Sequence, residues 1–215
     1  VWSAKMLHQS GLPSESLIAS LPIYDEMRVE LMAGQYLDVY EQALATNSVA
    51  RSLKVARYKS GKYTIERPLH FGGALGGASQ SLLDSYSGYG LPLGEAFQLR
   101  DDVLGIYGDP SETGKPAGDD LREGKRTVLI AKTLELADAK SRELIKAALG
   151  KPDLNAADVD SIREIIVTCG ALAQLEVIID SLTSSAHLAL EHGEIDPLAK
   201  SAMTQLATIV TKRKL

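Results

Sequence analysis

The sequence predicts an all-α fold in a single domain. Apolar residues recur at helical spacing, as in the stripe formed by Ile162, Ile165, Ile166, Cys169 and Leu172. No stretch alternates apolar and polar residues in the manner of a half-buried strand. No linker, repeat or low-complexity tract divides the 215 residues. One bundle of helices is therefore the simplest interpretation.

Capping residues and helix breakers place the helices in chain order. Ser14, Ser48 and Asn155 each precede an apolar periodic run and belong to the residue types that cap helix N-termini. Clusters of glycine and proline mark the predicted ends, and residues 93–107 are predicted to form one helix. The predicted breaks lie at residues 11–13, Pro22, 46–48, 88–92, 108–124, 150–152 and 193–197.

Composition excludes several classes of protein. The formal net charge is −5, with 23 Lys and Arg against 28 Asp and Glu, which argues against nucleic-acid binding. The single cysteine, Cys169, excludes an internal disulfide, and we expect it to be a small core residue. The four histidines lack zinc-like spacing. No apolar run is long enough to predict a transmembrane segment, so a cytoplasmic location is the default expectation.

Residues 97–125 carry the strongest sign of chemistry. Gln98, Asp101 and Asp102 are spaced i, i+3 and i+4, so they share one face of a helix. Adjacent carboxylates repel each other unless a cation compensates, and oxygen ligands of this kind suit Mg²⁺. The alternative is a solvated acidic patch, which is the usual role of an isolated Asp pair.

The loop that follows this helix favours the metal interpretation. Its glycines permit unusual backbone angles, and Lys115 and Lys125 supply charges that can reach a phosphate. Neither a Walker-type phosphate loop nor a Gly-x-Gly-x-x-Gly turn is present. A carboxylate pair beside a cationic loop therefore predicts a site for divalent metal and diphosphate.

Two earlier segments repeat this pattern of polar residues at helical spacing. Gln35 and Asp38 are three residues apart, and Lys59 lies beside Ser60 and three residues before Lys62. Helix propensity alone would place all of these residues on a solvated surface. The glycine-rich segment 72–78 is explained by helix packing, with the wall of a groove for an apolar tail as the alternative.

These segments resemble one known family. Residues 97–125 resemble the second aspartate-rich region of the trans-isoprenyl diphosphate synthases, the polyprenyl synthetase family. Residues 34–38 resemble that family's Gly-Gln-x-x-Asp helix, and residues 58–63 resemble its Lys-Thr motif. The three motifs occur in the family's order, and the sequence of the loop is most similar to those of bacterial geranylgeranyl or farnesyl diphosphate synthases.

The resemblance implies a fold and an activity. The fold would be an isoprenoid-synthase-type helical bundle around a central cavity, assembled as a homodimer for which helices such as residues 14–44 supply a partner surface. The reaction would join isopentenyl diphosphate head-to-tail to an allylic prenyl diphosphate, with Mg²⁺ as cofactor. Geranylgeranyl diphosphate is the first expectation for the product, and farnesyl diphosphate is the second.

The resemblance also implies roles for individual residues. Asp101 and Asp102 would be catalytic metal ligands, with Asp120 reaching a metal through water, and Lys59 would be a catalytic diphosphate contact. The remaining substrate-binding residues would be Ser60, Gln98, Lys115, Lys125, Gln35 and Asp38.

Two departures from the family pattern keep alternatives open. The family's other aspartate-rich motif, Asp-Asp-x-x-Asp, is absent, and the chain opens at Val1 without a methionine. We therefore expect residues 1–215 to represent the C-terminal two thirds of the family's domain. Gly105 stands where many relatives have a third aspartate. A terpene cyclase and a non-catalytic synthase subunit remain as alternatives to the prenyltransferase.

Overall fold

The computed structural model describes residues 1–110, 114 and 116–212, and over these residues the chain contains helices and no strand. This confirms the predicted all-α class. The helices are α1 (Trp2–His8), α2 (Ser14–Ala43), α3 (Val49–Ala56), a π-helical segment (Arg57–Glu66), α4 (Arg67–Leu75), α5 (Gln80–Tyr107), α6 (Asp119–Arg122), α7 (Val128–Leu136), α8 (Ala139–Ala148), α9 (Ala156–Thr168), α10 (Ala171–His192) and α11 (Pro197–Thr211).

The predicted helix starts agree with the observed ones. Ser48 caps α3 by accepting a hydrogen bond from the backbone N–H of Arg51. Asn155 and Asp158 form a reciprocal capping box at the start of α9. Helix α2 begins at Ser14, but its N-cap is Pro13 and no side chain caps it there. Local capping chemistry therefore located the starts of α3 and α9.

Two predicted breaks are wrong, because α2 continues through Pro22 and α5 continues through Pro92. Proline removes one backbone hydrogen bond from a helix, a local cost that tertiary packing can offset. Helix α5 is central to the fold, and its side chains at Leu93, Leu99 and Ile106 are fully buried. Burial along its length therefore outweighs the helix-breaking tendency of one residue.

Two apolar clusters form the core on either side of the middle of α5. The larger joins Leu99, Val103 and Ile106 of α5 to α7, α9 and α10, while the smaller joins Tyr89 and Leu93 to α10 and α11. Cys169 is partly buried and packs against the larger cluster, as expected. Both clusters use α5, so this helix is anchored from one end to the other.

Glycines let the π-helical segment lie directly against its neighbours. A Cβ atom added at Gly34 of α2 would lie 2.7 Å from Lys59 Cα. One added at Gly94 of α5 would lie 2.6 Å from Gly61 Cα. Contacts this short leave no room for a side chain, so these glycines permit backbone-to-backbone packing. The segment that carries Lys59 is thereby held between α2 and α5.

Among the described residues, no single helix is long and apolar enough to cross a membrane. The pair Ala156–Thr168 and Ala171–His192 meets the criteria of length and composition only when taken together, across a bend of 66°.

Candidate active site

A cavity of about 630 Å³ lies between α2, α3, the π-helical segment, α5 and residues 116–127, called here the segment around α6. It collects polar residues that are far apart in the sequence. Its polar and charged lining residues are Asp38, Ser52, Lys59, Ser60, Gln98, Asp101, Asp102, Asp119, Asp120, Lys125, Arg126 and Thr127.

One wall of the cavity is formed by α2 and the π-helical segment. Lys59 Nζ donates a hydrogen bond to Asp38 Oδ2 at 2.5 Å, and Asp38 Oδ1 accepts another from Gln42 Nε2 at 3.2 Å. Ser60 follows Lys59 and also lines the cavity. Because Gly34 brings the two backbones into contact, the ion pair forms where α2 crosses the π-helical segment. This wall therefore presents a lysine whose position is held by a carboxylate.

The opposite wall is the face of α5 that carries Gln98, Asp101 and Asp102, and all three residues line the cavity. Asp102 is only 5% exposed. Its Oδ1 accepts a hydrogen bond from Gln98 Nε2 at 2.8 Å, and its Oδ2 accepts one from the backbone N–H of Val128 at 3.3 Å. Asp102 thus connects α5 to the first residue of α7.

The electrostatic environment of Asp102 favours an added cation. Burial, with a smaller contribution from the charges of Asp120 and Asp101, raises the pKa of Asp102 to about 7 against the opposing effect of the hydrogen bonds from Gln98 and Val128. A nearby positive charge would lower this pKa by stabilising the carboxylate.

The segment around α6 brings two further carboxylates, Asp119 and Asp120, and a lysine to the same cavity. Lys125 Nζ donates hydrogen bonds to Asp120 Oδ1 at 2.5 Å and to Glu123 Oε2 at 2.8 Å. Burial opposes the charged amine, but these two bonds outweigh it and raise the pKa of Lys125. Gly118 and Gly124 flank α6 with φ values of +74° and +71°, which side-chain-bearing residues rarely adopt. These two turns place Asp120 and Lys125 next to α5.

One of the expected substrate residues that the structure describes lies outside the cavity lining. Gln35 is exposed and lies outside the lining, although the resemblance placed it there with Asp38. Asp38, three residues further along α2, is the residue that pairs with Lys59 and lines the cavity. Lys115 lies outside the described residues.

The structure adds lining residues that sequence reasoning missed, above all Asp119 and Arg126. Arg126 follows Lys125 directly, and its Nη1 donates to Asn47 Oδ1 at 3.2 Å. Its Nε is one of two buried side-chain atoms that lack a hydrogen-bond partner within the described part of the chain. Burial lowers the pKa of Arg126. Adjacency to the loop lysine and to Asp120 is the only sequence signal that could have identified these two residues.

The lining fits Mg²⁺ as a partial ligand set. Five carboxylates and three basic side chains line the described cavity, so its formal charge is −2. Over residues 1–110, 114 and 116–212, no three His, Cys, Asp or Glu side chains converge closely enough to hold a metal by themselves. Mg²⁺ is commonly held by one or two carboxylates, with water and substrate phosphates completing its coordination. This donor set therefore suits a metal that arrives with a phosphorylated ligand.

Comparison with known sequences shows the relationship of the chain. Residues 2–166 match the sequence profile of the family described as Polyprenyl synthetase. The chain belongs to the polyprenyl synthetase family. Geranylgeranyl diphosphate synthase of Sulfolobus acidocaldarius is 31% identical over 157 residues, which cover 73% of this chain and 47% of that protein. The (2E,6E)-farnesyl diphosphate synthase of Mycobacterium tuberculosis is 30% identical over 154 residues, which cover 71% and 43%.

Solved structures of the family share the fold. Geranylgeranyl pyrophosphate synthase from Corynebacterium glutamicum, complexed with isoprenyl diphosphate and magnesium, is 41% identical with a TM-score of 0.96. The match covers 99% of this chain and 60% of that one. Geranylgeranyl pyrophosphate synthetase from Pyrococcus horikoshii is 25% identical with a TM-score of 0.86, over 99% and 64% of the two chains. The expected isoprenoid-synthase-type bundle is confirmed, and the chain spans about half the length of the curated relatives it matches.

Proposed function

We propose that this protein is a Mg²⁺-dependent prenyltransferase that joins isopentenyl diphosphate head-to-tail to an allylic diphosphate and makes geranylgeranyl diphosphate. The observation that carries the proposal is the cavity, in which two acidic segments face two lysines in a chain of the polyprenyl synthetase family. Relatives named geranylgeranyl diphosphate synthase support the choice of product. Residues 1–215 then form one helical domain equivalent to the C-terminal two thirds of the family's domain.

In this proposal, the cavity residues hold the diphosphate of the allylic substrate. Asp101, Asp102 and Asp120 hold Mg²⁺, either directly or through water. Lys59 and Lys125 bind diphosphate oxygens, while Ser60 and Gln98 donate hydrogen bonds to them. Mg²⁺, when bound, neutralises the negative charge that grows on the departing diphosphate. The family resemblance also implies Lys115, Gln35 and Asp38 as substrate-binding residues, of which Asp38 lines the cavity and Gln35 lies outside its lining.

The remaining chemistry needs positioning more than acid–base catalysis. The bond between the allylic carbon and the diphosphate oxygen breaks, and Lys59 and Lys125 stabilise the leaving group. The double bond of isopentenyl diphosphate forms the new carbon–carbon bond, and one proton is then lost to the released diphosphate. No side-chain base is required for this sequence. The enclosing helices exclude the water that would otherwise capture the carbocation.

The test is turnover by the full-length protein with radiolabelled isopentenyl diphosphate, an allylic diphosphate and Mg²⁺. We expect label in a twenty-carbon prenyl diphosphate, identified by chromatography. Asp101→Ala should lose turnover while retaining its helical circular dichroism spectrum. Asp84→Ala is the matched control, because Asp84 is an exposed carboxylate on the same helix and outside the cavity lining.

Other outcomes identify the alternatives. A fifteen-carbon product would indicate a farnesyl diphosphate synthase. Hydrocarbon products without incorporation of label would indicate a terpene cyclase, because a cyclase uses no isopentenyl diphosphate. Absence of reaction would favour a non-catalytic subunit. Full activity in Asp101→Ala would refute the proposed catalytic role of Asp101.

A homodimer is the second part of the proposal, and the exposed face of α2 supports it. Val29, Met32, Tyr36 and Tyr40 lie at helical spacing on one side and are 42% to 71% exposed. The rings of Tyr36 and Tyr40 stack with centroids 5.9 Å apart. Light scattering after size exclusion should give a dimer mass that Tyr36→Glu reduces. Val177→Glu is the control at an exposed apolar residue elsewhere, and a monomeric wild-type protein would contradict the proposal.

A further inference from the structure

The Asp120 carboxylate lies against Gly105 on the acidic face of α5, in the space that a side chain at position 105 would take. Gly105 lies one helical turn after Asp101 and also lines the cavity. A Cβ atom added at Gly105 would lie 2.5 Å from Asp120 Cγ and would overlap Oδ2 of that carboxylate. The Asp120 carboxylate therefore fills the volume that any side chain at position 105 would require.

The backbone gives no other reason for glycine at this position. Residues 103–107 lie within α5, and Gly105 does not have the positive φ found at Gly118 and Gly124. Glycine inside a helix is less favourable than alanine, so its presence implies close approach by another group. Apart from the backbone of α5 and the neighbouring residues, the three atoms nearest to an added Cβ all belong to the Asp120 side chain.

We propose that Gly105 is a positioning residue, whose missing side chain leaves the space in which the Asp120 carboxylate lies beside Asp101 and Asp102. A carboxylate from the segment around α6 thereby lies on the acidic face of α5. Lys125 then binds the outer oxygen, Oδ1, while Oδ2 is directed at the helix. The position of Asp120 thus completes the proposed metal-binding face and holds Lys125 next to it.

This inference rests on the proposed function, because the effect of the space at Gly105 is measured as the affinity for Mg²⁺. The variants are Gly105→Ala, Asp120→Ala and the double variant. Gly72→Ala is the matched control, since Gly72 is also helical but has open space around it, with no atom within 4 Å of an added Cβ. Each protein is studied by titration calorimetry with Mg²⁺ and inorganic diphosphate, and by thermal melting without metal.

We expect Gly105→Ala to weaken Mg²⁺ binding by about 10- to 100-fold, as loss of a positioned outer ligand does in other metal sites. Asp120→Ala should weaken it to the same extent, and the double variant should be no weaker than either single variant. In the metal-free protein, Gly105→Ala should lower Tm by at least about 2 °C relative to Gly72→Ala, and Asp120→Ala should relieve that loss.

The proposal is overturned if Gly105→Ala binds Mg²⁺ as Gly72→Ala does, or if the effects of the two single variants simply add. Failure of the proposed function has a different signature. In that case the wild-type protein would bind no Mg²⁺ with diphosphate, while the metal-free melting of Gly105→Ala would still depend on Asp120.

Discussion

Asp102 offers the most quantitative test of the site, because its buried carboxyl titrates differently in the folded and unfolded chain. Its pKa is about 7 in the folded protein, against 3.8 for the ordinary group. Between these values the unfolded chain loses its proton while the folded chain retains it, so stability falls as pH rises. Above about pH 7 the loss is complete. A difference of about three pKa units corresponds to roughly 4 kcal/mol.

The perturbation is Asp102→Asn, which removes the titration and keeps groups that can bond to Gln98 and Val128. We would measure the free energy of unfolding by urea in metal-free buffer from pH 4.5 to 8. The wild-type protein should lose about 3 kcal/mol relative to Asp102→Asn over this range, with most of the change complete by pH 7. Other titrating groups contribute equally to both proteins. The comparison therefore isolates Asp102.

Two results would refute this reasoning. A difference between the proteins that is independent of pH would mean that burial does not raise the pKa of Asp102. A wild-type protein that becomes more stable than Asp102→Asn as pH rises would mean that a resident positive charge already compensates the carboxylate. With Mg²⁺ present, we expect the pH dependence to become smaller, because the cation stabilises the ionised form.

Three further substitutions test other parts of the structure. Gly34→Ala places a Cβ 2.7 Å from Lys59 Cα and should cost about 1–3 kcal/mol in urea unfolding, whereas Gly72→Ala should stabilise by up to about 1 kcal/mol. Arg100→Leu removes a buried guanidinium that donates to both carboxylate oxygens of Glu176 and should cost about 2–4 kcal/mol; an unchanged unfolding midpoint would contradict this. Lys125→Met should raise the KM for the allylic diphosphate about tenfold or more without weakening Mg²⁺ binding, and weakening of both would indicate that the lysine mainly holds the segment around α6.

The predictions that depended on neighbouring residues were reliable. The capping residues Ser48 and Asn155 located α3 and α9, because a cap is formed within a few residues of its own helix. The spacing of Gln98, Asp101 and Asp102 placed all three on one wall of the cavity, because helical geometry alone relates them.

The features that the sequence predicted wrongly or left undetermined arise from contacts between distant parts of the chain. Pro22 and Pro92 were expected to end helices, but the tertiary packing of α2 and α5 carries both helices past them. Gln35 and Asp38 were expected together, and only the crossing of α2 with the π-helical segment determines which of them meets Lys59. Arg126 gave no signal beyond its position after Lys125, because its burial results from the surrounding chain.

The amino-acid sequence by itself determined the helical class, the family and the identity of the acidic and basic residues, since these depend on residue type and short-range periodicity. Only the tertiary structure decided that Asp102 would be buried against α7 and that Asp120 would lie where Gly105 has no side chain. Both contacts join segments that the chain separates by 15 residues or more. Their geometry depends on how α5, α6 and α7 pack, and no local pattern in the sequence encodes that packing.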